Sequence, residues 1–181
     1  FYMPGDFVSH VRMMKTDYED TGLAQLFGMP FVVLRKPVPF DTTTLNFNWQ
    51  VWDTKAFSLY SRSTEKIDKK GADMAIAAVC RFLSRMNVLN YNVYGGYEST
   101  VLIEEELVSL RSTASGLYIP HVKSFDSVER GQVLADIIDP LTGVTVAQTE
   151  APEDGIVFFA KDSPLVMENE TLFKIVNKLH K

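Results

Sequence analysis

The chain has 181 residues, 46% of them apolar and 23% charged, with a net charge of −5. That length holds one domain or two small ones with a real core, and scattered Lys and Arg on a negative balance leave no electrostatic footprint for nucleic acid. No apolar run approaches the ~18 residues that span a bilayer, and Cys80, the single cysteine, excludes an intrachain disulfide or a Cys-rich zinc cluster.

Thr16-Asp17-Tyr18-Glu19 has capping-box spacing and predicts a helix from about Asp17, with Leu23, Leu26 and Phe27 on its apolar side. Gly28 and Pro30 stop it, Phe31-Val32-Val33-Leu34 reads as a short buried strand, and Pro37 and Pro39 end that strand. The stretch 41–54 is polar and aromatic without a period and reads as a long loop. Trp49 and Trp52 within it either line a cleft or pack under the loop. Ala56-Phe57-Ser58-Leu59-Tyr60 is a second strand. A helix follows from about Asp68 to Met86, its apolar positions being Ala72, Ile76, Val79, Cys80, Leu83 and Met86. Cys80 among them is expected buried and inert. This half reads as part of an α/β layer that lacks its opening βαβ units. Residues 90–96 form a junction, and Val101-Leu102-Ile103 and Leu107-Val108-Ser109-Leu110 read as strands beyond it.

The last third says one thing twice. Gly116-Leu117-Tyr118-Ile119 is followed by Val128-Glu129-Arg130-Gly131-Gln132-Val133-Leu134-Ala135-Asp136-Ile137. Gly155-Ile156-Val157-Phe158 is followed by Val166-Met167-Glu168-Asn169-Glu170-Thr171-Leu172-Phe173-Lys174-Ile175. Gly131 and Asn169 hold matching places, and both residue types tolerate positive φ in a tight turn. A repeat this short predicts two hairpin units burying their apolar faces on each other, in a small all-β module of approximate two-fold symmetry. Pro140 and Gly143 mark a turn inside 137–149. The basic ending, Lys174 to Lys181, reads as a solvated tail rather than a binding patch.

The V-x-x-G-x-x-L wording resembles the biotinyl and lipoyl carrier domains of barrel-sandwich fold. Residues 131–150 contain no Lys for covalent attachment, so the carrier function is not expected although the fold can be shared. A closer resemblance is to the succinylglutamate desuccinylase/aspartoacylase family, zinc-dependent deacylases related to carboxypeptidases. Its C-terminal domain has a G-(L/I)-(F/Y) opening, a V-x-x-G-Q-x-L-x-x-I-x-D-P phrase and an A-P-x-D-G-x-V phrase. Here these are Gly116-Leu117-Tyr118, Val128 through Pro140, and Ala151-Pro152-Glu153-Asp154-Gly155-Ile156-Val157. Upstream, Leu26-Phe27-Gly28-Met29-Pro30 resembles the family's a-x-G-x-P phrase before a strand, and 56–68 falls where its a-l-t-v-E-l-G-g strand lies.

The resemblance implies a fold and a chemistry. Residues 1–90 would be the C-terminal part of a zinc-carboxypeptidase-like α/β domain, and 91–181 a small all-β, barrel-sandwich-like domain. The family's zinc, held by a His-x-x-Glu pair and a later His in a D-x-H phrase, activates water for amide hydrolysis. The histidines here are His10, His121 and His180, and none has a Glu three residues later. The ligands are therefore expected upstream of Phe1, with no metal bound by this chain alone. His10 is either a displaced third ligand or an ordinary hydrogen-bonded histidine, and His121 is expected on a hairpin surface.

The family strand lays Tyr60 on the position of the catalytic Glu. Tyr60 either donates to a developing oxyanion or is simply packed with its hydroxyl satisfied. Glu65 is either a relocated base or a solvated acid, with Asp53 the nearest carboxylate upstream; Arg62 is either a clamp for the substrate carboxylate or a surface Arg. The implied parent enzyme cleaves the acyl-amide bond of a small N-acylated carboxylate, in the cytoplasm, as a possible homo-oligomer without nucleic-acid or membrane partners. The contrasting reading is a non-catalytic binding or assembly module, or an inactive family member.

Overall fold

A computed structural model describes residues 4–63, 65–92 and 95–177, so His180 and the other residues after 177 lie outside it. The chain divides into two units. One is α/β and comprises Ser9–Arg62 and Asp68–Glu106. The other is β and takes the described residues up to Val8, those of 63–67, and the chain from Leu107 on. A boundary at residue 90 would therefore cut a strand from its sheet, and the chain's opening residues belong with its end.

In chain order, β1 is Asp6–Phe7, β2 His10–Met14, α1 Thr21–Gln25, β3 Phe31–Arg35, α2 Leu45–Val51, β4 Ser58–Tyr60, α3 Lys69–Arg85 and β5 Thr100–Ile103. The α/β unit has one sheet of order β4-β2-β3-β5. β2, β3 and β5 run parallel and β4 is antiparallel to β2. An opening βαβ unit, β2-α1-β3, is present after all. The sequence conceals it because β2 alternates His10 and Arg12 with Val11 and Met13, and α1 has only five residues.

Three further expectations shift. Glu19 accepts from the Thr16 N–H at 2.7 Å, as a capping box requires, but the Thr16 hydroxyl accepts from Gln50 Nε2 at 2.6 Å. The helix instead starts at Thr21, capped by Asp20, which accepts from the Leu23 N–H at 2.9 Å. The expected loop 41–54 holds a 3₁₀ turn (Pro39–Thr43) and α2, with Thr44 as N-cap. Its pattern is inverted, so no apolar period shows. Gln50 is fully buried, whereas Leu45, Trp49 and Trp52 are exposed, Trp52 at 82%. The tryptophans therefore do not pack under a loop. Finally, α3 runs where expected but turned over. It packs through Ala75, Ala78 and Phe82, and Ile76 and Val79 face outward. Small side chains let a helix lie close to a sheet, and that outweighs the bulkier stripe. Cys80, expected buried, is half-buried and free.

The core of this unit lies on one sheet face, where Val11, Met13, Val32 and Leu34 meet Ala24, Phe27, Met29 and Ala78. Phe27 and Phe82 stack at 4.2 Å. Arg81 Nη1 donates to the Phe27 carbonyl at 2.5 Å and Arg85 Nη1 to the Leu26 carbonyl at 2.9 Å. They satisfy carbonyls that the end of α1 leaves without intrahelical partners.

The β unit continues with β6 Val108–Arg111, β7 Gly116–Pro120, β8 Ser127–Val128, β9 Val133–Ile138, β10 Thr145–Glu150, β11 Gly155–Ala160, β12 Leu165–Val166 and β13 Thr171–Asn177. Two antiparallel sheets, β1-β11-β13-β6 with β8 on β11, and β10-β9-β7-β12, share one core. The repeat appears as a strand exchange: β7 pairs β9 of its own copy and β12 of the other, and β11 pairs β13 of its own and β8 of the other. The turns match bond for bond. Gly131 (φ 80°) and Asn169 (φ 66°) are both left-handed. Gly131 N–H donates to Ala151 C=O and Asn169 N–H to Ser112 C=O, each at 2.8 Å. The opening glycines are there for contact. A Cβ on Gly116 would lie 2.5 Å from Ile138 O, and one on Gly155 2.6 Å from Val176 O.

Candidate functional site

The sheet face of the α/β unit opposite the apolar core carries polar side chains at its β2–β4 seam. Antiparallel register sets His10 opposite Tyr60 and Arg12 opposite Ser58, so alternation puts all four on one face. The His10 and Tyr60 rings stack with centroids 4.8 Å apart, and His10 is buried. Arg12 Nη1 donates to Tyr60 Oη at 3.4 Å, and its guanidinium carbon lies 5.6 Å from the Tyr60 ring centre. Arg12 Nη2 pairs with the Glu104 carboxylate, which arrives on a 3₁₀ turn (Glu104–Glu106) straight after β5. Burial works against the Arg12 charge, but Glu104 and Tyr60 more than offset it and hold the pKa above the ordinary arginine value. α2 closes on the same strand. Asn46 Nδ2 donates to Ser58 Oγ at 2.6 Å. Gln50 accepts from Met14 N–H at 3.3 Å and donates to Met14 C=O at 2.6 Å.

The residues singled out in the sequence scatter. Tyr60 is half-buried within this cluster. Arg62 belongs to the same unit but turns to Asp68, with Nε 3.9 Å from Oδ2. Glu65 is exposed and belongs to the β unit, whose neighbouring Lys66 pairs with Asp162 at 2.6 Å. Asp53, the other carboxylate considered, sits in the left-handed region (φ 58°) just after α2. His121 is exposed and shares a 2.8 Å hydrogen bond with Asp136. Sequence reading missed Arg12 and Glu104. The only signal was the polar alternation in β2; nothing local marks Glu104 as its partner.

Among the described residues no group of three His, Cys, Asp or Glu side chains is placed to hold a metal ion. Among the same residues no helix is long and apolar enough to cross a membrane.

No protein-family model matches the sequence, and no curated protein matches it either. Solved structures share its fold. The ectoine utilization protein EutE (DoeB) from Ruegeria pomeroyi, in a product-bound form, superposes with a TM-score of 0.77 at 13% identity, over 96% of this chain and 54% of that one. The succinylglutamate desuccinylase/aspartoacylase from Rhodobacter sphaeroides gives 0.76 at 14% identity, over 98% and 56%. A succinylglutamate desuccinylase from Silicibacter sp. TM1040 gives 0.73 at 15%, over 94% and 53%. The chain thus spans about half the length of the solved chains it matches.

Proposed function

From a chain that has the fold of the succinylglutamate desuccinylase/aspartoacylase proteins, we propose the C-terminal part of a zinc-dependent hydrolase. Its reaction is cleavage of the acyl-amide bond of a small N-acylated amino acid or related carboxylate, in the cytoplasm. The observation that carries this reading is the superposition over 96% of the chain, reached independently of the wording at Gly116–Val157 that resembles the same family. The two-sheet unit with its internal two-fold is, in this reading, the family's barrel-sandwich-like domain. The metal ligands belong to polypeptide outside residues 1–181.

Within this proposal Tyr60, at the place of the family's acid, donates to the developing oxyanion. The Arg12 N–H on its oxygen polarises the O–H bond and makes it a stronger donor. Arg62, of the same unit as Tyr60, receives the substrate carboxylate, and Glu65, which belongs to the other unit, is assigned no step. One observation favours a second reading, an inactive member that only binds. The acid's place is taken by a phenol already engaged with Arg12 and stacked on His10.

The test is metal analysis and hydrolysis of N-acetyl and N-succinyl amino acids, on residues 1–181 and on the full-length protein. The proposal expects sub-stoichiometric zinc and no turnover for residues 1–181, and zinc-dependent turnover for the longer protein. Tight stoichiometric zinc in the 181-residue chain, or a zinc-loaded full-length protein without turnover, would overturn it; the second outcome supports the binding-only reading.

A further inference from the structure

We propose that Arg12 is a binding site for a small carboxylate and that Glu104 fills it as an internal stand-in. The inference rests on side chains of the α/β unit alone and stands or falls independently of the deacylase reading. A guanidinium presents two parallel donors, Nε and Nη2, along one edge, the spacing of a planar carboxylate's two oxygens. In Arg12 only half of that edge is used. Nη2 pairs with Glu104 Oε2, Nη1 turns to Tyr60 Oη at 3.4 Å, and Nε is buried without a hydrogen-bond partner among the described residues.

A buried N–H left unpaired is rare. Here the second Glu104 oxygen makes no bond to it, although the carboxylate is already at the guanidinium. The tether explains this. Glu104 opens a three-residue 3₁₀ turn directly after β5, and Lys36 N–H donates to the next carboxylate, Glu105, at 3.0 Å. A free carboxylate carries no such tether and can take both donors of the edge. Its substituent would then point away from the guanidinium, on the side opposite Nη1 and the Tyr60 hydroxyl. The ligand class is therefore a small carboxylate. Binding swaps an internal anion for an external one at constant charge, so the site discriminates by geometry and by release of the Glu104 turn.

The experiment is anion rescue in the 181-residue protein. The Tm of wild type, Glu104→Gln, Arg12→Met and the Arg12→Met/Glu104→Gln double variant is followed with increasing acetate or succinate, against chloride at equal ionic strength. Glu104→Gln keeps the side chain's shape and removes the competing charge. Its Tm is expected to rise with acetate, saturably, and its apparent affinity for either carboxylate to exceed wild type by about tenfold. Both variants lacking Arg12 are expected to show no response beyond chloride. If Glu104→Gln does not fold in chloride, refolding in acetate replaces the melting curve, and recovery there is the expected result. Three outcomes would overturn the proposal: a carboxylate response no larger than chloride's in Glu104→Gln, no recovery of an unfolded Glu104→Gln in acetate, or a response that survives loss of Arg12.

Discussion

The two halves of the β repeat offer a matched perturbation, because Gly155 and Gly131 are required for different reasons. At Gly155 a Cβ would stand 2.4 Å from Ile175 Cγ2 and 2.6 Å from Val176 O. Both belong to β13, the direct partner of β11, with Gly155 opposite Asn177 and Ile156 opposite Val176. The backbone oxygen cannot swing away without opening the ladder, and Ile175 is fully buried. Gly155→Ala is therefore an overpacking change with added lost pairing, costing roughly 2–4 kcal/mol. At Gly131 nothing lies within 4 Å of a new Cβ, but φ is +80°. Gly131→Ala costs only the left-handed conformation, about 1–2 kcal/mol. Gly131→Asn costs less than Gly131→Ala, since Asn169 already occupies that conformation in the other copy. Urea unfolding with a shared slope gives the three differences, and each kcal/mol corresponds to about 2–4 °C in Tm at this size. Gly131→Ala costing more than Gly155→Ala, or Gly131→Asn costing as much as Gly131→Ala, would refute the argument.

Gln50→Leu removes the side chain that serves the Met14 N–H and C=O in a fully buried place. It should cost about 2–5 kcal/mol in urea unfolding, whereas Trp52→Ala, on the same helix but exposed, should stay within about 0.5 kcal/mol. Asp136 accepts hydrogen bonds from Gln148 and His121, and these hold its carboxyl below the usual value. A depressed folded pKa gives stability that is present above the unfolded pKa and lost as pH falls through the folded one. Asp136→Asn should therefore flatten the acid limb of the stability–pH curve below about pH 4; an unchanged limb would contradict the assignment. The Lys161 hydrogen bond at 2.5 Å, followed by the Met167 N–H, depresses Glu170 in the same way. Lys161→Met should raise the Glu170 titration towards the ordinary glutamate range, read by carboxyl carbon NMR. A midpoint that stays put would show that Lys161 is not the cause.

Where a feature depends on neighbours in the chain, the sequence alone determined it. The doubled phrase fixes a pair of hairpins, because Gly131 and Asn169 set the turns and the apolar alternation of β9 and β13 sets the buried face. The strand at Phe31 and the long helix after Asp68 are equally local, marked by a continuous apolar run and by helical spacing. The tertiary structure decided what depends on partners far along the chain. α2 was hidden because its buried residue is Gln50, a polar group satisfied only once β2 is beside it. α3 turned its small residues inward because closeness to the sheet, not side-chain bulk, governs that packing. Arg12 and Glu104 stand 92 residues apart, and their pairing follows from β5 lying beside β3 and β3 beside β2. Spacing along a sequence encodes which face a residue takes on its own element. Which residue it meets there is decided by sheet order, and that is settled only when the strands assemble.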